Sequence, residues 1–252
     1  MWKFLILIIL LIYNSFAKED VGMYEKQGQT IPLELQFTNE YNNKISLKEV
    51  IENKPTILSI NYFKCTGLCS PQLHSLAFTL DKLDLKPYID YKVITVSMEP
   101  KDTPKDALEK KQELLKTIKK SFIPQTWSFL TSNQETIDSI TNSVGFKYKK
   151  RIKDGVVDYL HPGLLIIISP QGKITRYLNG IEYLPFDLKL ALLEATKEEI
   201  RPTIAKTLLY CFAYDAKSKT YVFQAEKVVG SFIFAVVLIF FIFLVRGGRK
   251  KG

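Results

Sequence analysis

Cysteine and histidine are the scarce letters of this chain, 3 and 2 among 252 residues. Three cysteines cannot staple a disulfide-scaffolded mini-domain. Together with two histidines they cannot build a zinc array of repeated CxxC pairs. No Gly-rich phosphate loop, internal repeat or low-complexity stretch is present, and aromatics do not alternate with Lys/Arg as in nucleic-acid binders. Charged residues at 24% and aromatic residues at 12% exclude a disordered chain. What is plentiful is length enough for a sizeable core, hydrophobic letters at 46% and a net charge of +9, whose placement decides its meaning.

Hydrophobicity is concentrated at both ends. Residues 1–17, MWKFLILIILLIYNSFA, put Lys3 before a ten-residue apolar run, Phe4 to Tyr13, and close on Ser15 and Ala17 in a small-x-small pattern. The run is too short to span a bilayer and suits a signal peptide cleaved before Lys18. Near the other end, Val228 to Val245 gives 18 residues without a charge, followed by the basic tail RGGRKKG at 246–252. That length reaches the lower limit for a membrane helix, and the basic flank marks the cytoplasmic side. The expected topology is a single-pass cell-membrane protein, with its body on the exported, periplasmic side and its C-terminus in the cytoplasm. Lys3 and the four tail charges account for five of the nine net positives. Much of the basic excess is therefore a topology signal, and no nucleic-acid partner is expected.

The body alternates strand and helix signals. Ile31 to Phe37, Thr56 to Phe63, Tyr91 to Met98, Thr126 to Leu130 and Leu164 to Ser169 read as strands, the second and last fully buried. Helices are expected at Leu47 to Glu52 behind a Ser46 cap, at Ser70 to Leu85, and from Thr103-Pro104 through about Lys120. Two more follow at Gln134 to Ser143, stopped by Gly145, and at Asp187 to Glu199. Pro170-Gln171-Gly172 is turn chemistry that returns Lys173 to Leu178 as a hairpin partner. The order predicts a mixed α/β domain over residues 18–199, with one parallel crossover part and a closing hairpin. Residues 200–227 lack a period and read as a juxtamembrane connector.

The chemistry gathers in two places. FKCTGLCSPQ sets Cys65 and Cys69 where a buried strand gives way to a helix. Wound as helix, the i, i+4 spacing would put both sulfurs on one face, and a helix N-terminus favours thiolate. Such a pair can be a static disulfide, cycle with a disulfide, or grip a soft metal. DYLHPGLLIIIS sets His161 at the entry of the last buried strand. Two thiolates and one imidazole suit Cu(I), whereas zinc would want a fourth ligand and Cu(II) would recruit water or a carboxylate, Asp158 being the nearest. His74, five residues past Cys69, is expected to turn away to the surface. Met98 is expected in the core, and Cys211 is unpaired by arithmetic.

With these features in place, the chain resembles the Sco/SenC family of thioredoxin-like copper-binding proteins. The resemblance rests on Cys65 and Cys69 in C-x-x-x-C spacing, on the strand-end SMEPKDTP, and on His161 ahead of GLLIIISPQGKITRYLNGIEY. It covers roughly residues 30 to 200. It implies a thioredoxin-like mixed sheet flanked by helices, here with a C-terminal transmembrane helix. It further implies copper, Cu(I) and/or Cu(II), on Cys65, Cys69 and His161. The implied role is a metallochaperone, or a thiol-disulfide reductase, for the CuA site, with cytochrome c oxidase subunit II or another exported copper protein as partner. The alternative is a membrane-tethered oxidoreductase in which Cys65 and Cys69 are the redox residues and no metal has a physiological part. The thioredoxin-like frame also leads to the expectation of a cis His161-Pro162 bond. The family pattern is broken by Ser70 in place of proline after the second cysteine, by Glu99 in place of Asp, and by Leu160 where an acidic residue usually precedes the histidine.

Overall fold

A computed structural model of the chain describes residues 21–65, 67, 69–119, 121–153, 156–200, 212–215, 220–223 and 236. The chain divides into two compact units, Met1–Arg201 and Pro202–Gly252.

The first unit is built on a seven-stranded mixed sheet. In chain order its strands are β2 (Gln36–Asn39), β3 (Lys44–Ser46), β4 (Thr56–Asn61), β5 (Lys92–Ser97), β6 (Trp127–Thr131), β10 (Leu164–Ile168) and β11 (Ile174–Asn179). Their spatial order is β11-β10-β4-β5-β6-β2-β3. The β4/β5 and β5/β6 pairs are parallel, and every other pair in this sheet is antiparallel. Central strands β4 and β5 are buried at every position, which is why they read as continuous apolar runs. Two short ladders flank this sheet: β1 (Gly22–Met23) with β7 (Phe146–Lys147), and β8 (Lys149–Lys153) with β9 (Val156–Leu160).

Alternation along the strands divides the core into two layers. Leu58, Ile60, Ile94, Val96, Leu130 and Ile166 meet α1 (Leu47–Ile51) and α4 (Gln134–Ser143). Ile57, Val93, Phe129, Leu165 and Ile167 meet α2 (Cys69–Lys82), α3 (Pro104–Leu115) and α5 (Pro185–Thr196). Leu73, Leu76, Ala77 and Leu80 form the buried stripe of α2. Each fully buried leucine contributes about 1.5–3 kcal/mol. Helix starts follow the sequence signals: Ser46 with Glu49 and Thr103 with Asp106 form capping boxes, and Asn133 caps α4. Gly145 closes α4 with φ of +71°, and a Cβ there would lie 1.9 Å from the carbonyl oxygen of Tyr24.

Several expected boundaries move. The strand expected from Ile31 begins only at Gln36, because Pro32 has no N–H and its carbonyl instead closes a turn to Leu35 N at 3.3 Å. The charged helix stops at Leu115, short of Lys120: Thr117 and Ile118 make turn bonds, and Ile118 and Phe122 pack on the second core layer. The β8/β9 hairpin was not expected at all. In the second unit, β12 (Phe212–Asp215) pairs antiparallel with β13 (Thr220–Phe223), where the connector was read as aperiodic. Residues 1–17, Cys211 and, apart from Val236, the apolar block and basic tail lie outside the described residues. Among those described, no helix is long and apolar enough to cross a membrane.

Candidate metal and thiol centre

Because β10 runs antiparallel to β4, the start of β10 lies beside the end of β4. The thiols follow β4 and His161 precedes β10, so sheet topology alone brings the two sequence features together. Ligand sites in open α/β sheets lie beyond such strand ends. Buried Gln72 of α2 fixes the arrangement: its Nε2 donates to the carbonyl of Leu164 at 2.8 Å and to the Tyr183 hydroxyl at 2.9 Å. Helix α2, which opens at Cys69, is thereby tied to the strand that follows His161.

Cys65 lies in the loop and Cys69 is the first helical residue, so the two do not share a helix face as the i, i+4 spacing suggested. Both thiols are free and buried. The Cys65 sulfur accepts a hydrogen bond from Gly67 N–H at 3.2 Å. Donation from the Cys69 thiol, opposed by burial and aided by the Tyr62 hydroxyl, holds the Cys65 thiol well below the ordinary cysteine value. Cys69 is pushed the other way by its bond to Cys65, by burial and by charge on Cys65. The thiol at the helix start is therefore the one pushed up, and Cys65, outside the helix, is lowered chiefly by its neighbouring thiol and not by the helix N-terminus. A second charge so close to the first is not tolerated.

The imidazole completes the group. Cys69 Sγ lies 3.1 Å from His161 Nε2, and His161 Nδ1 lies 3.0 Å from the carbonyl oxygen of Pro162. A carbonyl only accepts, so Nδ1 carries the proton and the Nε2 lone pair faces the sulfur. Burial lowers the His161 pKa, against the Pro162 bond that raises it, and favours the neutral ring a metal requires. The donor chemistry therefore fits a soft metal: two sulfurs, one of them favoured as thiolate, and an aimed imidazole nitrogen. Among the described residues, no three His, Cys, Asp or Glu side chains already stand around one metal position. The sulfurs hydrogen-bond to their neighbours instead, and a metal would replace those protons.

The remaining candidates separate cleanly. Asp158 is not a spare ligand: Arg151 Nε at 2.6 Å, the Tyr62 hydroxyl at 3.0 Å and Tyr159 N–H at 2.8 Å occupy it. His74 faces Glu113 at 3.0 Å on an exposed surface, and Met98 is fully buried in the core, both as expected. The chain has no cis peptide bond among the described residues, so His161-Pro162 is trans and that expectation was wrong. Its connector is held by other means, the Pro162 carbonyl on His161 and Gly180 N–H on Gly163 O at 2.9 Å. The trans form is also the one an X-Pro bond prefers by about 0.5–1 kcal/mol.

Sequence reasoning missed the supports. Buried Asp102, in the SMEPKDTP segment, accepts from Phe63 N–H at 2.7 Å and from the Ser97 hydroxyl at 2.6 Å, pinning the backbone two residues before Cys65. Ser70, where the family has proline, donates its hydroxyl to the Cys65 carbonyl at 3.0 Å. Glu99 accepts from the Tyr159 hydroxyl at 2.9 Å and from Lys101 N–H at 3.0 Å. Tyr159 in turn stacks on Tyr62 (5.1 Å) and Tyr148 (5.7 Å), and Phe146 on His161 (6.0 Å). The β8/β9 hairpin contributes Tyr159 to this aromatic group. Its sequence signal was Asp154-Gly155, a hairpin dipeptide between two extended runs.

Comparison with known proteins agrees with the geometry. The SCO1/SenC family model matches residues 24–187, more than half of the chain. The chain belongs to the SCO1/SenC family. The SCO1 protein homolog of Bacillus subtilis (strain 168) is 24% identical over 152 residues, covering 60% of this chain and 75% of that protein. A solved structure from Aquifex aeolicus VF5 superposes with a TM-score of 0.59 at 25% identity, over 68% of this chain and 95% of the other. Arabidopsis thaliana ScoI, solved with copper bound, gives 0.54 at 20% identity over 69% and 99% of the two chains. BsSco, described as a member of the Sco family of cytochrome c oxidase assembly proteins and as having a disulfide switch, gives 0.51 at 20% over 69% and 98%. The fold is thus the mixed α/β, thioredoxin-like Sco fold.

Proposed function

We propose that this SCO1/SenC chain is a copper-binding assembly factor that holds copper on Cys65, Cys69 and His161. In this reading it delivers copper to the CuA site of cytochrome c oxidase subunit II, or prepares that site's thiols. The observation that carries it is the 3.1 Å approach of His161 Nε2 to Cys69 Sγ with the ring's other nitrogen already engaged. The lone pair that now faces the Cys69 thiol is the one a metal would take. Family membership and the copper held by a solved relative support the choice of metal. Copper titration of the purified full-length chain tests it. Wild type should bind one copper, and His161→Ala should bind at least about tenfold more weakly. Unchanged affinity and stoichiometry in that variant would remove the triad.

A second reading rests on the thiols themselves. A lowered Cys65 thiol against a protonated Cys69 is the arrangement of a dithiol ready for exchange, and here the chain would be a tethered thiol-disulfide oxidoreductase. The two readings part at His161. Thiol exchange with a small disulfide that survives His161→Ala while copper binding is lost would show that the centre does both.

A further inference from the structure

We propose that Lys147 and Lys149 form the surface on which an acidic face of a partner protein docks to meet the thiol and imidazole centre. This rests on the exchange or delivery proposed above and adds the chemistry of the partner.

Residues 21–200 hold 24 basic and 22 acidic side chains, a nearly balanced count. Five of the basic ones fall within the seven residues 147–153, KYKKRIK, and no acid does. Without that segment the same stretch would be net negative by three. Its positive excess is therefore one local feature, and that feature lies beside the centre. Phe146, whose ring stacks on His161 at 6.0 Å, is followed by Lys147. Lys149 stands opposite Leu160 in the β8/β9 ladder, and Leu160 is followed by His161. Burial alternates along the stretch. Phe146 and Tyr148 turn in and stack on each other at 6.3 Å, while Lys147 and Lys149 are exposed.

Two charges of the segment are already matched. Lys150 faces Glu99 at 3.3 Å, and Arg151 Nε donates to Asp158 Oδ2 at 2.6 Å. Lys147 and Lys149 form no ion pair among the described residues. Lys147 Nζ donates to the Asn142 side-chain oxygen at 2.7 Å, and Lys26 Nζ donates to the Asn142 carbonyl at 2.8 Å. Two ammoniums thus converge on one neutral residue in the last turn of α4, whose carbonyl end offsets them only in part.

The position of the charge selects the occupant. A lipid headgroup held here would cover the centre and bring it nothing to react with. A protein would bring its own thiols or copper ligands. Leu160, 40% exposed between the basic strand and His161, supplies the apolar contact that protein interfaces keep amid a polar rim. Carboxylates on that protein are the complement that steers approach and fixes register.

The test uses two disulfide probes, the disulfide-linked homodimers of end-blocked Glu-Glu-Cys-Glu-Glu and Gln-Gln-Cys-Gln-Gln. One protein thiolate attacks the peptide disulfide and expels one peptide thiolate; the second cysteine resolves the mixed disulfide and expels the other. Cys65 and Cys69 end as a disulfide, and their two electrons and two protons end on the two peptide thiols. With the reduced, copper-free full-length chain at low salt, the acidic probe should react about tenfold faster than the neutral one, an advantage that fades at high salt. Lys147→Gln/Lys149→Gln should lose most of that advantage and keep the wild-type rate with the neutral probe, which shows fold and thiols intact. An advantage unchanged in that variant, or absent from wild type, overturns the inference. So does protection of Lys147 and Lys149 from amine acetylation by phosphatidylglycerol but not phosphatidylcholine vesicles, which would assign the surface to lipid headgroups. A wild type that neither probe oxidises overturns the thiol-exchange reading instead. Docking is then decided by alkylation of Cys65 with anionic iodoacetate relative to neutral iodoacetamide: the ratio of rates falls in the double variant if the inference holds, and equals that of wild type if it does not.

Discussion

Asp102 touches neither sulfur, yet it holds the loop that carries them. Its Oδ2 receives both Phe63 N–H and the Ser97 hydroxyl. Asp102→Ala would leave a buried N–H without a partner and should cost about 1–3 kcal/mol in urea unfolding. Asp102→Asn keeps an acceptor and should cost less. The two also differ from wild type in pH dependence. Burial raises the Asp102 pKa above the ordinary 3.8, with the Phe63 and Ser97 bonds opposing. The folded chain therefore holds this proton where the unfolded chain has lost it. The contribution to stability is full below the unfolded value and is lost as pH rises through the folded one. A stability profile across that acid window should show this slope in wild type and lack it in Asp102→Asn. At this scale the sequence was legible where residue type and spacing announce chemistry, as with Cys65, Cys69 and His161. Tyr62 and Asp102 carry no such announcement. Tyr62 meets Asp158, 96 residues away, and Asp102 meets Phe63, 39 residues away, separations that no local pattern encodes.

Elements are stabilised at their ends and at one buried ion pair. Gly145 ends α4 and lets β1 close on the chain, Tyr24 N–H donating to its carbonyl at 2.8 Å. Gly145→Ala meets both a positive φ and the Tyr24 carbonyl, and should cost about 1–3 kcal/mol or more. A lowered urea midpoint with unchanged slope checks it. Lys111 of α3 pairs with Glu40 at the end of β2, both almost fully buried, and Glu40 also accepts from Phe129 N–H of β6 at 3.0 Å. Lys111→Met strands the carboxylate and should cost about 3–5 kcal/mol, more than the Lys111→Met/Glu40→Gln double variant. Strands and helices with a clean period were legible: α4 runs from Gln134 to Ser143 as its pattern states. Hairpin strand β8, KKRIK, was not, because four basic residues in five read as a solvated charge run. Its order comes from pairing with β9 and from Tyr159 beneath, which are tertiary facts.

For the whole molecule, the ends carry the expectation of export and tethering. We propose a signal peptide at 1–17 and an anchor at 228–245, with the SCO1/SenC domain on the exported side. Full-length protein should sediment with membranes and stay there in high salt, and its domain should be open to protease from outside. A chain stopped after residue 227 should be released. Recovery of that shortened chain with membranes would remove the anchor. The two core layers lie on opposite faces of one sheet, and the centre belongs to both, since Cys65 and Cys69 pack with the first while the helix that Cys69 opens packs with the second. If His161 is the third donor of the proposed centre, one detail of it bears on release. The Nδ1 proton of His161 is held by the carbonyl of its own successor, Pro162, while Nε2 faces the Cys69 sulfur. Any shift of the β9–β10 connector therefore carries the imidazole away with its tautomer unchanged, while both sulfurs remain with α2 and its loop. Coordination number, rather than acidity, is the quantity this arrangement leaves free to vary. A cargo would pass from three donors to two without any proton having to move.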